Sequence, residues 1–184
     1  MFKSFITPNA IDIFIQPETG PYNEGIAQGY IFPLYFLFPP LTYFNDAVLI
    51  GGKIKGVTCL DSYLLSHEIG HVLGLFHTFE STAFGVEYVN GSNCSFTGDI
   101  ICDTKASQNI NWDLNLVDDG LCQYIGSDTD VNGDLYDPDP KNIMEYSSLN
   151  CTEYFTSEQG ARMRGLLASE PDLQKLVVPD VSFP

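Results

Sequence analysis

Short apolar runs separated by glycine and proline predict a small sheet in the first part of this chain. Residues 10–15 form one such run, and Pro17 ends it, which is typical of a buried strand. Residues 47–50 form a second run, and the Gly-Gly pair after it favours a turn. Between them, residues 30–44 are strongly apolar and aromatic. Prolines interrupt that segment and it is too short to cross a bilayer. We expect it to fill part of the core, with an aromatic wall beside a binding cleft as the alternative.

The pattern then changes to the spacing of a helix. Apolar residues recur three and four positions apart over residues 62–74, which predicts an amphipathic helix with Asp61 or Ser62 as its N-cap. Gly74 can adopt a positive φ at little cost. We therefore expect the helix to stop there and the chain to turn sharply.

A second helix is predicted near the end of the chain, over residues 156–169. Thr156 and Gln159 have the spacing of a capping box, in which each residue satisfies a backbone N–H of the other. Three apolar residues then fall on the inner face, namely Met163, Leu166 and Leu167. Beyond Pro171 we expect a short and loosely held tail.

The segment from residue 80 to residue 139 is rich in Asn, Asp, Gly and Ser and has few periodic apolar positions, which predicts loops. Such a region needs something besides a large core to hold it in place. Four of the five cysteines follow residue 80, and one or two disulfides would restrain these loops. The sequence leaves the pairing open, with Cys59 as the expected free thiol beside Cys94, Cys102, Cys122 and Cys151.

Calcium is a second way to hold these loops. The segment 128–134 has the oxygen-ligand spacing D-x-D-x-N-G of a calcium loop, with the candidate ligands Asp128, Asp130, Asn132 and Asp134. Prolines at positions 138 and 140 prevent an EF-hand helix directly after the loop. A solvated acidic turn is the alternative interpretation.

The residues that can do chemistry gather in the first predicted helix and the turn after it. All three histidines lie within one pattern, H-E-x-x-H-x-x-G-x-x-H, formed by His67, Glu68, His71, Gly74 and His77. His67 and His71 are four residues apart and share one helical face, where two imidazoles can bind one metal ion. Glu68 lies about 100° further round the helix, which suits a general base rather than a ligand. Three neutral imidazoles favour zinc and leave a coordination position open, as in a catalytic site.

This eleven-residue pattern resembles that of the metzincin metalloproteases, whose second hallmark is a methionine-containing turn beneath the zinc. Residues 142–146, Asn-Ile-Met-Glu-Tyr, are similar to that turn. Further segments resemble the pappalysin-like, or cytophagalysin, branch: His-Thr-Phe at 77–79, Gly-Asp-x-x-Cys-Asp-Thr at 98–104, and Phe-Thr at 155–156 with the Gln and Arg-Met-Arg that follow. The resemblance extends from about residue 10 to residue 167.

The resemblance implies an α+β fold, a metzincin-like zincin catalytic domain. It would have a small mixed sheet, an active-site helix, a loop-rich lower lobe and a C-terminal helix. We expect a single domain over residues 1–184, with an upper lobe of about residues 1–76 and a lower lobe of about residues 77–170. The resemblance implies three further features that have no counterpart in this sequence pattern: a signal segment, an extra strand with a helix, and an inhibitory pro-segment. We therefore expect the chain to be truncated at its N-terminus.

The resemblance also implies roles for particular residues. Met144 would form an apolar floor beneath the histidines, and Tyr146 would hydrogen-bond the tetrahedral intermediate. The strand at 47–50 would border the cleft and hold an extended substrate antiparallel to it. Asp99 and Asp103 become further calcium candidates by their position in the family.

Charge and composition limit the classes of partner that the protein is expected to bind. Eight basic and 24 acidic residues leave a net charge of −16, which argues against nucleic-acid and anionic-membrane partners. This charge suits basic substrates, or it serves solubility alone. Few lysines and arginines together with possible disulfides are typical of a secreted protein, with a reduced cytosolic protein as the alternative.

Together these observations predict a secreted, monomeric zinc endopeptidase that cleaves protein or peptide substrates, with Glu68 as general base and calcium as an additional ion. Two alternatives stay open. One is a catalytically silent metzincin-like domain used for binding or adhesion, against which the intact histidine set and Glu68 argue. The other is a zinc peptidase of short peptides, against which the open edge strand argues.

Overall fold

A computed structural model describes residues 10–15, 47–50, 53–54, 57–58, 63–82, 84–108, 110, 116–148 and 150–175. The aromatic segment 30–44, the free thiol expected at Cys59, and Asp61 and Ser62 lie outside these residues. The elements in chain order are β1 Asp12–Ile15, β2 Ala47–Ile50, β3 Lys53–Ile54, β4 Val57–Thr58, α1 Leu64–Val72, β5 Val117–Asp118, β6 Gln123–Tyr124, α2 Ser157–Ser169 and α3 Pro171–Gln174.

The two strands predicted from the apolar runs are confirmed. β1 and β2 pair in parallel, with Asp12 opposite Ala47 at one end of the pair. Val48, in β2, is completely buried and packs against Leu64 and Val72 of α1. Within the described ranges β2 has a strand partner on one side only, as expected of an edge strand. The sheet therefore supports the face of α1 that turns away from solvent.

Helix α1 is shorter than the predicted 62–74. Its N-cap is Tyr63, which makes no capping side-chain hydrogen bond, so the cap predicted at Asp61 or Ser62 is wrong. Its end is as predicted, because Gly74 has a φ of 83°. The Leu75 N–H donates to the Gly70 carbonyl at 2.9 Å and the Gly74 N–H donates to the His71 carbonyl at 3.0 Å. This pair of bonds is a Schellman motif, which turns the chain sharply.

Helix α2 and its capping box are confirmed. The Gln159 N–H donates to Thr156 Oγ1 at 3.2 Å, and the Thr156 N–H donates to Gln159 Oε1 at 2.8 Å. The tail differs from the prediction, because Pro171 starts the short helix α3 and Leu173 is buried. The chain is thus held at least as far as α3.

Two disulfides restrain the loop-rich segment, as the cysteine count predicted. Cys94 pairs with Cys102, and Cys122 pairs with Cys151. The second bridge ties the turn between β5 and β6 to the segment after the methionine turn. A second core cluster of Leu75, Ile101 and Met144 joins the loops to α1 and α2. No helix in the part of the chain that the structure describes is long and apolar enough to cross a membrane.

Candidate active site

The three histidines of the motif converge through one type of nitrogen. His67 and His71 project from α1, and His77 follows the turn at Gly74. His71 Nε2 lies 3.1 Å from His67 Nε2 and 3.0 Å from His77 Nε2. Their ligand atoms all lie within 4.8 Å of one another, and the described residues contain no other such group of three or more His, Cys, Asp or Glu side chains. The glycine turn therefore does what the sequence predicted and returns His77 to the helix.

Backbone carbonyls fix the orientation of two of these rings. His67 Nδ1 lies 2.6 Å from the Ile143 carbonyl oxygen, and His71 Nδ1 lies 2.8 Å from that of Leu75. A carbonyl oxygen only accepts, so each Nδ1 carries the proton and each Nε2 presents a lone pair. His77 Nδ1 lies 3.5 Å from a carboxylate oxygen of Glu80.

Burial controls the protonation of the site. Burial, with the neighbouring histidines, lowers the pKa of His67 to about 3. The same causes lower the pKa of His71 to about 4, so both imidazoles are neutral at pH 7. Burial raises the pKa of Glu68 to about 8, and the hydrogen bond to His77 lowers the pKa of Glu80.

The donor set fits a zinc ion. Nitrogens about 2.0–2.1 Å from a tetrahedral zinc lie about 3.3 Å from one another, which is close to the 3.0 and 3.1 Å between the imidazole nitrogens. Converging lone pairs repel each other, and a cation at their centre removes that repulsion. Glu68 is buried on the same helix but its carboxylate is outside the group of ligand atoms. The site thus has three imidazole ligands and one carboxylate, that of Glu68, which is not among the ligand atoms.

Aromatic rings border the histidines. The Tyr146 ring centroid lies 4.5 Å from that of His77 and 5.8 Å from that of His67. Phe79 stacks on His77 at 4.8 Å and contacts Tyr146 at the same distance. Sequence reasoning used Phe79 only as part of a family motif and missed this contact, because nothing local to the sequence places it on His77.

Met144 lies beneath the active-site helix, as expected for the methionine turn. It is completely buried and packs with Leu75 and Ile101. A Cβ atom at Gly70 would lie only 2.7 Å from the Met144 sulfur. Gly70 therefore allows α1 to approach the methionine turn closely.

The segment 128–134 uses its central carboxylate for internal hydrogen bonds. Asp130 Oδ1 accepts from the N–H groups of Asn132 and Asp134 at 2.8 and 3.0 Å, and Asp130 Oδ2 accepts from that of Val89 at 3.0 Å. Asp128 and Asp134 are exposed. Calcium binding by Asp128, Asp130, Asn132 and Asp134 gains no support from this arrangement, which resembles the solvated acidic turn more closely.

Asp99 and Asp103, the other calcium candidates, have different surroundings. Asp103 accepts from the Thr156 hydroxyl at 2.6 Å and from the Glu158 N–H at 2.9 Å, so it caps the start of α2. Asp99 is completely buried, and its Oδ2 has no hydrogen-bond partner. Asp103 therefore has a structural role, whereas Asp99 has an unused ligand atom.

Glu87 is a buried acid that sequence reasoning missed. It is 4% exposed, its Oε2 also has no hydrogen-bond partner, and burial together with the charge of Asp99 raises its pKa to about 8. A Cβ at Gly98 would lie 2.5 Å from that oxygen, so only glycine leaves room for the carboxylate. Next to Asp99, Ile100 has a φ of 60°, a strained value for a β-branched residue. No motif includes Glu87, and no sequence signal could have found it.

Comparison with known proteins agrees with this geometry. Residues 40–168 match the family model of Peptidase M43, described as pregnancy-associated plasma protein-A. The match covers more than half of the 184 residues. The chain belongs to this family of metalloproteases.

Individual relatives are extracellular enzymes of fungi. The chain is 36% identical over 151 residues to an extracellular metalloprotease of Verticillium alfalfae, covering 78% of this chain and 46% of that protein. It is 32% identical over 125 residues to one of Colletotrichum graminicola, covering 66% of this chain and 37% of that protein. The chain thus spans less than half the length of these relatives.

A solved structure supports the fold. The chain is similar to mature mirolysin of Tannerella forsythia, solved in complex with a cleaved peptide, with a TM-score of 0.50 and 20% identity. The similarity covers 91% of this chain and 56% of mirolysin. The predicted α+β, zincin-like class is confirmed.

Proposed function

We propose that this domain is a secreted zinc endopeptidase that hydrolyses peptide bonds in proteins. The observation that carries the proposal is the convergence of three imidazole Nε2 atoms at 3.0 and 3.1 Å, with Glu68 buried beside them but outside the ligand group. That arrangement combines three neutral ligands with a separate base. Secretion is supported by the names of the relatives and by the two disulfides.

The chemistry divides among five residues and the metal. His67, His71 and His77 would hold zinc through Nε2, and a bound zinc lowers the pKa of water and polarises a carbonyl. A zinc ion near Glu68 would lower the pKa that burial raises to about 8. The ionised carboxylate of Glu68 then accepts the proton of the attacking water and donates it to the leaving amine. Tyr146, whose ring contacts His77, donates its hydroxyl hydrogen to the developing oxyanion.

Strand β2 is the proposed binding edge for substrate. In the part of the chain that the structure describes, β1 pairs with one side of β2, and an extended peptide would add antiparallel to the other side through backbone hydrogen bonds. Backbone pairing reads no particular side chain and suits long substrates. Backbone pairing along β2 therefore favours protein substrates over short peptides. If the bound peptide brings a scissile bond near the histidines, the same pairing also favours catalysis over adhesion.

The test compares wild type with Glu68→Gln on an unfolded protein such as casein, with metal content measured on both. Glu153→Gln, an exposed carboxylate paired with Lys141, is the matched control. We expect wild type and control to cleave internal bonds, Glu68→Gln to be slower by about 10²–10⁴-fold, and all three to hold about one zinc per chain. Equal cleavage by Glu68→Gln would contradict the assignment. Zinc without cleavage in wild type would favour the adhesion alternative, and release of terminal fragments from short peptides alone would favour the peptidase alternative.

For the second cofactor we propose a calcium ion held by Glu87 and Asp99 rather than by the segment 128–134. Two buried carboxylates with an unpartnered oxygen each repel one another, and a hard divalent cation would satisfy both. Added calcium should raise the Tm of wild type but not that of Asp99→Asn, while Asp128→Asn should respond as wild type does. A response lost in Asp128→Asn and kept in Asp99→Asn would return the site to the acidic loop.

A further inference from the structure

We propose that Glu145 is a positioning residue for the metal site. It joins the segment that carries His77 to the turn that carries Tyr146, and so holds a ligand and an oxyanion donor at a fixed separation. The inference rests on the proposed function, since it gives Glu145 a purpose within that site. Glu145 was part of the methionine-turn motif, but no role followed for it from the sequence.

The two oxygens of this carboxylate have different partners. The Thr78 hydroxyl donates to Glu145 Oε2 at 2.5 Å, and the Tyr146 N–H donates to Glu145 Oε1 at 3.1 Å. Thr78 follows His77 directly in the chain. One side chain therefore bridges the residue next to the third histidine and the tyrosine itself.

The bridge is rigid because it is buried. Glu145 and Thr78 are each 3% exposed, so water does not compete for these hydrogen bonds. Placing a carboxylate in such surroundings is costly unless its oxygens are satisfied. An apolar side chain would fill the same space at lower cost, which indicates that the hydrogen bonds themselves are what the position requires.

Besides the ring contact of Phe79 with Tyr146, a backbone hydrogen bond links the two segments, and it is longer than the side-chain bond. The Thr78 N–H donates to the Met144 carbonyl at 3.2 Å, which leaves the side-chain bond at 2.5 Å as the shorter one. The rings of His77 and Tyr146 are in edge contact at 4.5 Å. A small relative shift of the segments would move both rings, and catalytic groups tolerate displacements of only about 0.5 Å.

The experiment breaks the bridge from each end. Thr78→Val removes the hydroxyl and keeps the shape, whereas Thr78→Ser keeps the hydroxyl. Glu145→Gln offers one acceptor atom, whereas Thr78 and Tyr146 donate to two different oxygens of Glu145 and Ser107 also hydrogen-bonds to it. The control is Thr97→Val, which removes the hydrogen bond from an equally buried hydroxyl to the Asn93 carbonyl, away from the histidines.

The first readout is zinc affinity by competition with a chelator, and the second is the visible spectrum of the cobalt-substituted protein, which reports ligand geometry. We expect Thr78→Val and Glu145→Gln each to weaken zinc binding about tenfold, the lower end of the range for groups that orient ligands, and to alter the cobalt spectrum. Thr78→Ser should restore both. The double variant should be no weaker than the worse single one, because both changes break the same link.

The control separates positioning from simple stability. Thr97→Val should lower Tm by as much as Thr78→Val and leave zinc affinity and the cobalt spectrum unchanged. Wild-type affinity and spectrum in both Thr78→Val and Glu145→Gln would overturn the proposal, as would the same losses in Thr97→Val. If Thr78→Val does not fold, the zinc affinity and the cobalt spectrum of Glu145→Gln alone decide whether the proposal stands. If wild type binds zinc but cleaves nothing, the endopeptidase assignment fails while these metal readouts still decide the role of Glu145.

Discussion

The metal-free protein should become less stable as the pH rises, because burial disfavours the charged forms of Glu87 and Asp99 by more than the nearby Arg162 guanidinium offsets at Asp99. Burial raises the pKa of Asp99 from its ordinary 3.8 to about 7, and burial with the charge of Asp99 raises that of Glu87 to about 8. Each folded-state pKa lies above its unfolded value, so the folded protein keeps protons that the unfolded chain has released. The stability from these groups is therefore fully present below about pH 4 and is lost as the pH rises through 7 to 8.

The magnitude follows from the completely buried member of the pair. A shift of about three pKa units at Asp99 corresponds to roughly 4 kcal/mol between acidic and alkaline conditions, at about 1.4 kcal/mol per unit. Asp99→Asn keeps the shape and removes the charge. Because about two of these three units lie above pH 5, the difference in unfolding free energy between wild type and Asp99→Asn should change by about 2.7 kcal/mol from about pH 5 to about pH 8. The variant should become the more stable protein at the higher pH.

Urea unfolding followed by circular dichroism, with a chelator present, measures this difference. The comparison between variants cancels the contributions of the histidines and of Glu68, which titrate equally in both. Asp137→Asn, an exposed carboxylate, serves as the control and should show the wild-type pH dependence. A difference between wild type and Asp99→Asn that stays constant from about pH 5 to about pH 8 would refute the reasoning. Calcium at about 100 times its Kd should restore about 2.7 kcal/mol to wild type at the higher pH.

Two further predictions concern the neighbourhood of the histidines, and a third concerns the disulfide between Cys122 and Cys151. Gly70→Ala should lower the unfolding free energy by about 1–3 kcal/mol, because its Cβ would lie 2.7 Å from the Met144 sulfur; a urea midpoint at or above that of wild type would contradict this. Tyr146→Phe should lower kcat about 10²-fold with little change in KM, and an unchanged kcat in steady-state assays would remove the tyrosine from the mechanism. Replacing Cys122 and Cys151 by serine opens a bridge of sequence separation 29 and should cost about 3 kcal/mol; unchanged thermal unfolding would show that packing alone holds these loops.

The parts of the site that could be predicted from sequence are those that depend on local geometry. Helical spacing places His67 beside His71, and Gly74 returns His77 to them through a Schellman motif. The capping box of α2 is equally local, since Thr156 and Gln159 are three residues apart.

The parts that could not be predicted depend on contacts between loops. Glu87 and Asp99 come together through a segment without apolar periodicity, so no spacing rule links them. The disulfide pairing depends on the path of the same loops. Asp130 has the spacing of a calcium ligand, yet nearby backbone N–H groups use its oxygens first, a competition that the spacing alone does not reveal.

Zinc titration into the metal-free protein, with proteolysis followed at each addition, tests most directly whether the three histidines form one hydrolytic metal site. Activity should rise in proportion to added zinc and level off at about one equivalent per chain. His77→Ala should bind zinc more weakly and remain inactive at that ratio. Proteolysis that persists without zinc, or that reaches its full rate in His77→Ala at one equivalent, would contradict the assignment.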